Sequence, residues 1–404
     1  MKSPIVYLDN NATTGVAPEV LEAMLPYLRD QYGNPSSMYS FAGEAHKAVE
    51  KARGQVAALL GALPEEIVFT SCGTESDSAA VFGTFEALPE KRHFITSRVE
   101  HSAIIAMGQY LERKGYRVTY LDVNDKGQMS LDQLDKVMTQ DTGIVSLMYA
   151  NNETGTVFPI PEAAAMAKER GIVFHTDAVQ AVGKISINLA ELPVGYLAMS
   201  GHKLHAPKGV GVLYIRRGTP FRPFLRGGHQ EHGRRAGTEN VPYIVGLGAA
   251  CELAAKHIQE ENTRVRSLRD RLETGLRNAI PESRINGDPG NRLPNTTNIS
   301  FKYVEGEAIL LLLDQEGICA SSGSACTSGS LEPSHVLRSM GVPFTYAHGS
   351  VRLSLSRYTT DADIDKALDV LPRVITRLRG ISPYRNLADD ALPGEEGTCV
   401  CNTI

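Results

Sequence analysis

Residues 321–330 read SSGSACTSGS and set a single thiol, Cys326, among small and hydroxylated side chains. Such neighbours offer no apolar packing. A thiol becomes a nucleophile or a sulfur carrier only when ionised, which requires a polar, electropositive setting rather than a core. Glycine and serine leave the backbone free to carry it between two positions. Asp177 and Lys203 form a second pattern. Asp177 follows the apolar run GIVFHT (171–176), and Lys203 follows YLAMS (196–200) through the dipeptide Gly201–His202. An Asp and a Lys at neighbouring strand ends are what pyridoxal phosphate requires: the lysine makes the Schiff base, and the carboxylate keeps the pyridine nitrogen protonated so that the ring is an electron sink. They would equally make an ordinary ion pair. Ser200 and His202, beside Lys203 in SGHKLHAPKGVG, can donate to a phosphate, and the small residues there leave room for a flat ring.

These residues need a scaffold that ends several strands on one side. EIVFT (66–70), HFITS (93–97), GIVSLMYA (143–150), GIVFHT, YLAMS and GVGVLYI (209–215) predict strands, with helix-period segments such as TESDSAAVFGTFEAL, SAIIAMGQYLERKG and IPEAAAMAKERG between most of them. Near-continuous apolar strands alternating with amphipathic helices predict an α/β fold with a mostly parallel sheet covered on both faces. Ligands of such sheets bind beyond the carboxyl ends of the strands. There EIVFT runs into SCGTES, a turn opening a helix whose free N–H groups suit an anion. GxGxxG, Walker A and GxSxG patterns are absent. A long helical stretch follows from about 241 to 280, where it could bridge two domains, and then TTNISF, EGEAILLLLDQEG, SVRLSLS and TDADIDKALDVLPRVITRL suggest a smaller α+β unit. The expected division is a large domain over 15–260, a small one from 1–14 plus 261–384 carrying the Cys326 loop, and a disordered acidic tail over 385–404.

The 404 residues are 42% hydrophobic and 22% charged, with a net charge of -5. This balance suits a soluble enzyme and gives no nucleic-acid footprint. No apolar run is long enough to span a bilayer and no signal-peptide pattern opens the chain, so a cytoplasmic protein without nucleic-acid or membrane partners is expected. Cys251 and Cys319 read as buried small hydrophobes. His202, His205, His229 and His232, with the tail cysteines Cys399 and Cys401, raise a metal-binding or cluster-scaffold alternative. Their spacing matches no zinc pattern, and no metal site is expected.

Taken together, YLDNNATT, FTSCGTESD, EHSAI, NNETG, HTDAVQ, SGHKLHAPKGVG, RRAGTEN and SSGSACTSGSLEPSHVLR resemble the cysteine desulfurases, enzymes of aminotransferase class V with the fold of type I pyridoxal-phosphate proteins. The resemblance runs from residue 5 to about 383. The variants CGTESDS, LHAPKGVG, RGGHQEHGRRAGTEN and EGEAILLLL are similar to the nitrogenase-maturation, NifS-like branch. It implies Lys203 as the Schiff-base lysine, Asp177 as the pyridinium partner, Gln180 on the ring hydroxyl and His101 stacked on the ring. Gly73, Thr74, Ser200 and His202 would cradle the phosphate, joined by Thr238 from the other subunit of a homodimer. Asn152 would contact cofactor and substrate, and Arg352 would hold the substrate carboxylate, with Arg357 as rival for that task. The implied reaction converts L-cysteine to L-alanine and leaves the sulfur as a persulfide on Cys326, for delivery to an iron–sulfur scaffold protein. A selenocysteine lyase or another class V aminotransferase is the enzymatic alternative; an aminotransferase would have no need of Cys326.

Overall fold

The first strand of the chain, β1 (Val6–Tyr7), pairs with a strand encoded more than three hundred residues later, so the fold closes only when both ends of the sequence meet. The computed structural model describes residues 5–322 and 333–382. Two helices, α1 (Pro18–Arg29) and α2 (Ser40–Leu60), precede the large sheet. Its strands and covering helices then alternate: β2 (Ile67–Thr70), α3 (Gly73–Ala87), β3 (His93–Ser97), α4 (Ser102–Arg113), β4 (Arg117–Leu121), α5 (Leu131–Val137), β5 (Thr142–Ser146), α6 (Ile160–Glu169), β6 (Val173–Asp177), β7 (Tyr196–Ser200) and β8 (Gly211–Ile215). The sheet order is β2-β8-β7-β6-β5-β3-β4. Only β8 runs antiparallel to its neighbours, so β2, β3, β5, β6 and β7 all end on one side. The mostly parallel sheet expected from the apolar runs is present. Strands β3, β5, β6, β7 and β8 are buried at every residue, as a sheet covered on both faces requires.

Beyond it, α7 (Val241–Glu260) and α8 (Arg266–Ala279) are joined by a π-turn, Glu261–Val265, which interrupts the continuous helix expected there. Next come β9 (Ser283–Asn286), β10 (Thr296–Phe301), α9 (Gly306–Gln315), β11 (Ile318–Cys319), α10 (His335–Ser339), α11 (Phe344–Ala347), β12 (Ser350–Ser354) and α12 (Asp361–Ile381). Strands β12-β10-β9 form an antiparallel sheet, and β1 pairs with β11. Helix α7 belongs to the apolar core beside the large sheet, through Leu247, Cys251 and Ala254. Helix α8 belongs to a separate core, where Leu268 and Leu272 pack with Val6, Leu8, Phe301, Leu353 and Leu371. The division is not a clean cut in sequence: Leu293, Val336, Leu337 and Met340 pack into the first core. Burial pushes the Cys251 thiol up to about 12, as suits an inert hydrophobe. Cys319, by contrast, is only partly buried, because β1–β11 is a two-stranded edge. Cys326 and the tail cysteines, Cys399 and Cys401, lie outside the described residues.

Candidate active site

The carboxyl ends of the strands open into a cavity of about 410 Å³. Gly73, Thr74, His101, Asn152, Asp177, Gln180, Ser200, His202, Lys203 and Arg352 all line it, although they come from positions scattered along most of the chain. Two other predicted positions stand apart. Thr238 is exposed and lines a different pocket of about 160 Å³. Arg357 sits by a small pocket with Lys184, His205 and Glu261, its guanidinium 5.0 Å from the Tyr358 ring centroid. Cys326 is outside the described residues, but Ser321 and Ser322, shortly before it in sequence, line the cavity.

Lys203 follows β7 in a short 3₁₀ turn, Gly201–Lys203. Its Nζ donates to the carbonyls of Asn11 at 2.5 Å and Ala12 at 2.7 Å. Burial pushes this amine down to about 7, helped by the positive charges of Arg352 and Lys184. Much of it is therefore unprotonated at neutral pH. Asp177 ends β6 and accepts the Val179 N–H at 2.9 Å. Burial raises its carboxyl, opposed by His101, the Val179 amide and Lys203. Two further acids act on the same charge. Asp77 lines the cavity, and burial together with Asp177 and Glu100 drives it well above the carboxylate range. Glu100 is pushed up by burial to about 8, although its Oε1 accepts from Ser97 Oγ and the Met148 N–H. Three buried carboxyls in one region cannot all ionise. His175, 3.4 Å from Asp77, is driven down by burial to about 3 and stays neutral.

Arg352 lies on β12. Its Nη1 donates to the Asn152 carbonyl at 3.0 Å and its Nη2 to Asp9 at 2.8 Å, while Nε is buried without a partner. Its backbone pairs with Ser321, so the carboxylate-binding candidate and the segment leading to Cys326 are joined. Glu153 lines the cavity and accepts from Ser334 Oγ at 2.6 Å, and burial raises it to about 7. Ser334 in turn caps α10. The sequence motifs contained Asp77, Glu100, Glu153 and Asn11, but residue type alone assigned them no task. The carbonyls of Asn11 and Ala12 have no side-chain signature at all.

A pyridoxal phosphate fits these residues. The first-turn amides of α3 point their unpaired N–H groups toward the cavity end of the helix, the usual setting for a phosphate. At Gly73 the turn is tight: a Cβ would stand 2.8 Å from Val179 Cγ2, so that side chain would have to shift to admit one. Likewise a Cβ on Gly211 would meet the Cys72 carbonyl carbon at 2.8 Å. Gln180 donates through Nε2 to the Asn11 carbonyl, and its buried Oε1 has no partner, a demand that a ring hydroxyl would meet. Among the described residues no group of three or more His, Cys, Asp or Glu is arranged to hold a metal ion.

The sequence profile of the aminotransferase class-V family matches residues 6–367. The chain belongs to that family. It is similar to "Cysteine desulfurase 2" of Trichormus variabilis, 61% identical across 97% of this chain and 98% of that protein. It is 57% identical to "Cysteine desulfurase NifS" of Azotobacter vinelandii across 94% of each. Among solved structures, a "NIFS-LIKE PROTEIN" superposes with a TM-score of 0.87 at 40% identity, covering 93% of this chain and all (100%) of that one. "SspA in complex with cysteine" superposes with a TM-score of 0.78 at 35% identity, over 88% of this chain and 99% of that one. Within class V, the chain belongs with the cysteine desulfurases of the NifS-like branch, and it is an enzyme.

Proposed function

We propose that this enzyme is a pyridoxal-phosphate-dependent cysteine desulfurase, acting as a homodimer in the cytoplasm and supplying sulfur to an iron–sulfur scaffold protein, for nitrogenase in particular. Relatives named cysteine desulfurase and NifS support the activity and the nitrogenase link. No helix among the described residues is long and apolar enough to cross a membrane. We take residues 15–260 as the cofactor-binding unit and 1–14 plus 261–384 as the smaller unit that closes the cavity.

When bound, pyridoxal phosphate supplies an electron sink for negative charge at the substrate α-carbon. Lys203 would hold its aldehyde carbon, Asp177 its ring nitrogen, Gln180 its ring hydroxyl and His101 its face. The α3 amides, Ser200 and His202 would hold its phosphate, with Thr238 of the second subunit. Arg352 orients L-cysteine by its carboxylate, with Asn152 alongside. The Lys203 amine, its basicity lowered by burial, takes the α-proton and returns a proton to the product. The Cys326 thiolate attacks the substrate sulfur: an S–S bond forms, the substrate C–S bond breaks, and the electron pair left on carbon takes a proton to give L-alanine. One sulfur leaves L-cysteine and one persulfide appears on Cys326, with no external oxidant or reductant.

The observation that carries this reading is a buried lysine of lowered basicity in one cavity with a buried aspartate and the Arg352 guanidinium, whose Nε has no partner. Mass spectrometry after a single turnover with L-cysteine tests it. The peptide containing Cys326 should gain one sulfur as alanine appears, and Cys326→Ala should keep the cofactor yet release no alanine. Full alanine formation with an unmodified peptide would refute the persulfide step and favour a lyase that needs no thiol.

A further inference from the structure

Between Phe221 and Asn240 a single residue is buried, and it is charged: Glu231. It begins an unusual piece of backbone. Glu231 (φ 49°) and His232 (φ 56°) both adopt the left-handed conformation, followed by Gly233 (φ 76°). Side chains disfavour that region, and two non-glycine residues in succession persist only where something holds them.

What holds them is Arg53 of α2. Its Nη1 and Nη2 donate to Glu231 Oε2 and Oε1 at 2.7 and 3.0 Å, a bidentate pair whose side chains are only 4% and 3% exposed. Glu231 Oε2 also accepts the Phe69 N–H at 3.0 Å, and Arg53 Nη1 donates to the Ile67 carbonyl at 2.9 Å. Ile67 and Phe69 lie on β2, the outermost strand of the large sheet. The pair thus occupies the free edge of that strand and satisfies its outward-facing groups. A second stake lies nearer the exposed Thr238. Arg235 forms a two-point contact with Glu75, at 2.9 and 3.3 Å, in the first turn of α3.

We propose that Arg53 and Glu231 are positioning residues that set the placement of Thr238 for the cofactor site of the partner subunit. This rests on the reading above in which Thr238 serves the neighbouring phosphate. The polar segment has no other buried residue to fix its backbone, and a hydroxyl that must meet a phosphate across an interface tolerates little displacement. A buried, bidentate pair is rigid in both distance and orientation, which a lone surface contact is not. Losing Glu231 leaves the buried Arg53 only Glu50, at 3.0 Å from its Nε, and the Ile67 carbonyl, and releases the left-handed turn.

Mixed dimers separate this role from general stability. One subunit carries Lys203→Ala, so borohydride traps cofactor only on the lysine of the other subunit. With Glu231→Gln placed on the Lys203→Ala subunit, the remaining lysine site should lose affinity for pyridoxal phosphate by about tenfold. With Glu231→Gln on the lysine-bearing subunit, affinity should stay unchanged. An equal loss in both arrangements, or a loss only in the second, overturns the proposal in favour of a structural role within the subunit. Thr238→Ala in the first arrangement is the control for the underlying reading. If it has no effect, the shared site falls and this inference with it. If it weakens binding while Glu231→Gln does not, only the positioning role falls. Arg53→Lys keeps the charge but loses the fork, and should give the first pattern more weakly; it replaces Glu231→Gln if that variant fails to dimerise.

Discussion

The resemblance gives the substrate carboxylate to Arg352 with Arg357 as rival, and the two stand in different surroundings. Arg352 faces the cavity with a buried, unpartnered Nε, whereas Arg357 lies beside Tyr358 near a different pocket. Replacing Arg352 by Ala should raise the KM for L-cysteine by about 10- to 100-fold, the worth of a charge-assisted hydrogen bond, with cofactor content retained. Arg357→Ala should leave KM within about twofold. Steady-state kinetics with cofactor quantitation checks both. Lys203 gives a pH signature. Its basicity is lowered from the model-compound 10.5 to about 7, so between those values the unfolded chain binds the extra proton and the folded apo-protein does not. The stability contributed by this group therefore rises with pH across that window and is flat below it. Capture of pyridoxal phosphate by apo-protein should likewise accelerate through about pH 7 and then level off, as stopped-flow absorbance would show; a rate still climbing toward pH 10 would contradict the burial effect. Lys203 and Asp177 were legible in the sequence because both stand where an apolar strand run ends. The carbonyls of Asn11 and Ala12 that receive Lys203 were not, since every residue has one.

At the scale of elements, legibility followed apolar contrast. Strands β3, β5, β6, β7 and β8 are apolar-rich and buried at every residue because both faces are covered, and each was visible. Edge strand β4, RVTYL, is half exposed and escaped notice. So did α2, whose buried face is mostly alanine (Ala42, Ala45, Ala48 and Ala52) and contrasts weakly with its polar face. The π-turn after α7 could not be read either, because Glu261 and Asn262 do not break a helical pattern; there Asn262 Nδ2 bonds the Lys184 carbonyl at 2.7 Å. The β2–α3 turn offers a direct test of element placement. Gly73→Ala adds a methyl 2.8 Å from Val179 Cγ2, a clash that a shift of the half-buried Val179 side chain can relieve. Affinity for pyridoxal phosphate should therefore fall by less than about tenfold, with the circular dichroism spectrum of apo-protein unchanged; a larger loss would show that the helix end itself is displaced. Equilibrium dialysis of the variant decides it.

For the whole molecule, the family resemblance spanned nearly the full chain, and the comparisons agree with it over residues 6–367. The segment beyond 384, with Cys399 and Cys401, lies outside the described residues, and its acidic, Pro- and Gly-bearing sequence offers no fixed catalytic geometry. Truncation after residue 385 should therefore leave the rate of alanine formation within about twofold; a loss confined to sulfur delivery would instead assign those thiols to transfer. The pairing of β1 with β11 has a consequence for how the enzyme is made. Val6 sits opposite Ile318, Asn10 and Asn11 hydrogen-bond Ser354, and the same few residues supply the carbonyls that receive Lys203. On the ribosome, this amino-terminal stretch emerges first and finds its partners last, after roughly tens of seconds of synthesis. Until then the large sheet can be folded while one wall around Lys203 is missing. On the proposed function, cofactor loading thus becomes a late event, and a nascent chain interrupted before β12 carries an open, unfinished pocket with Lys203 uncovered.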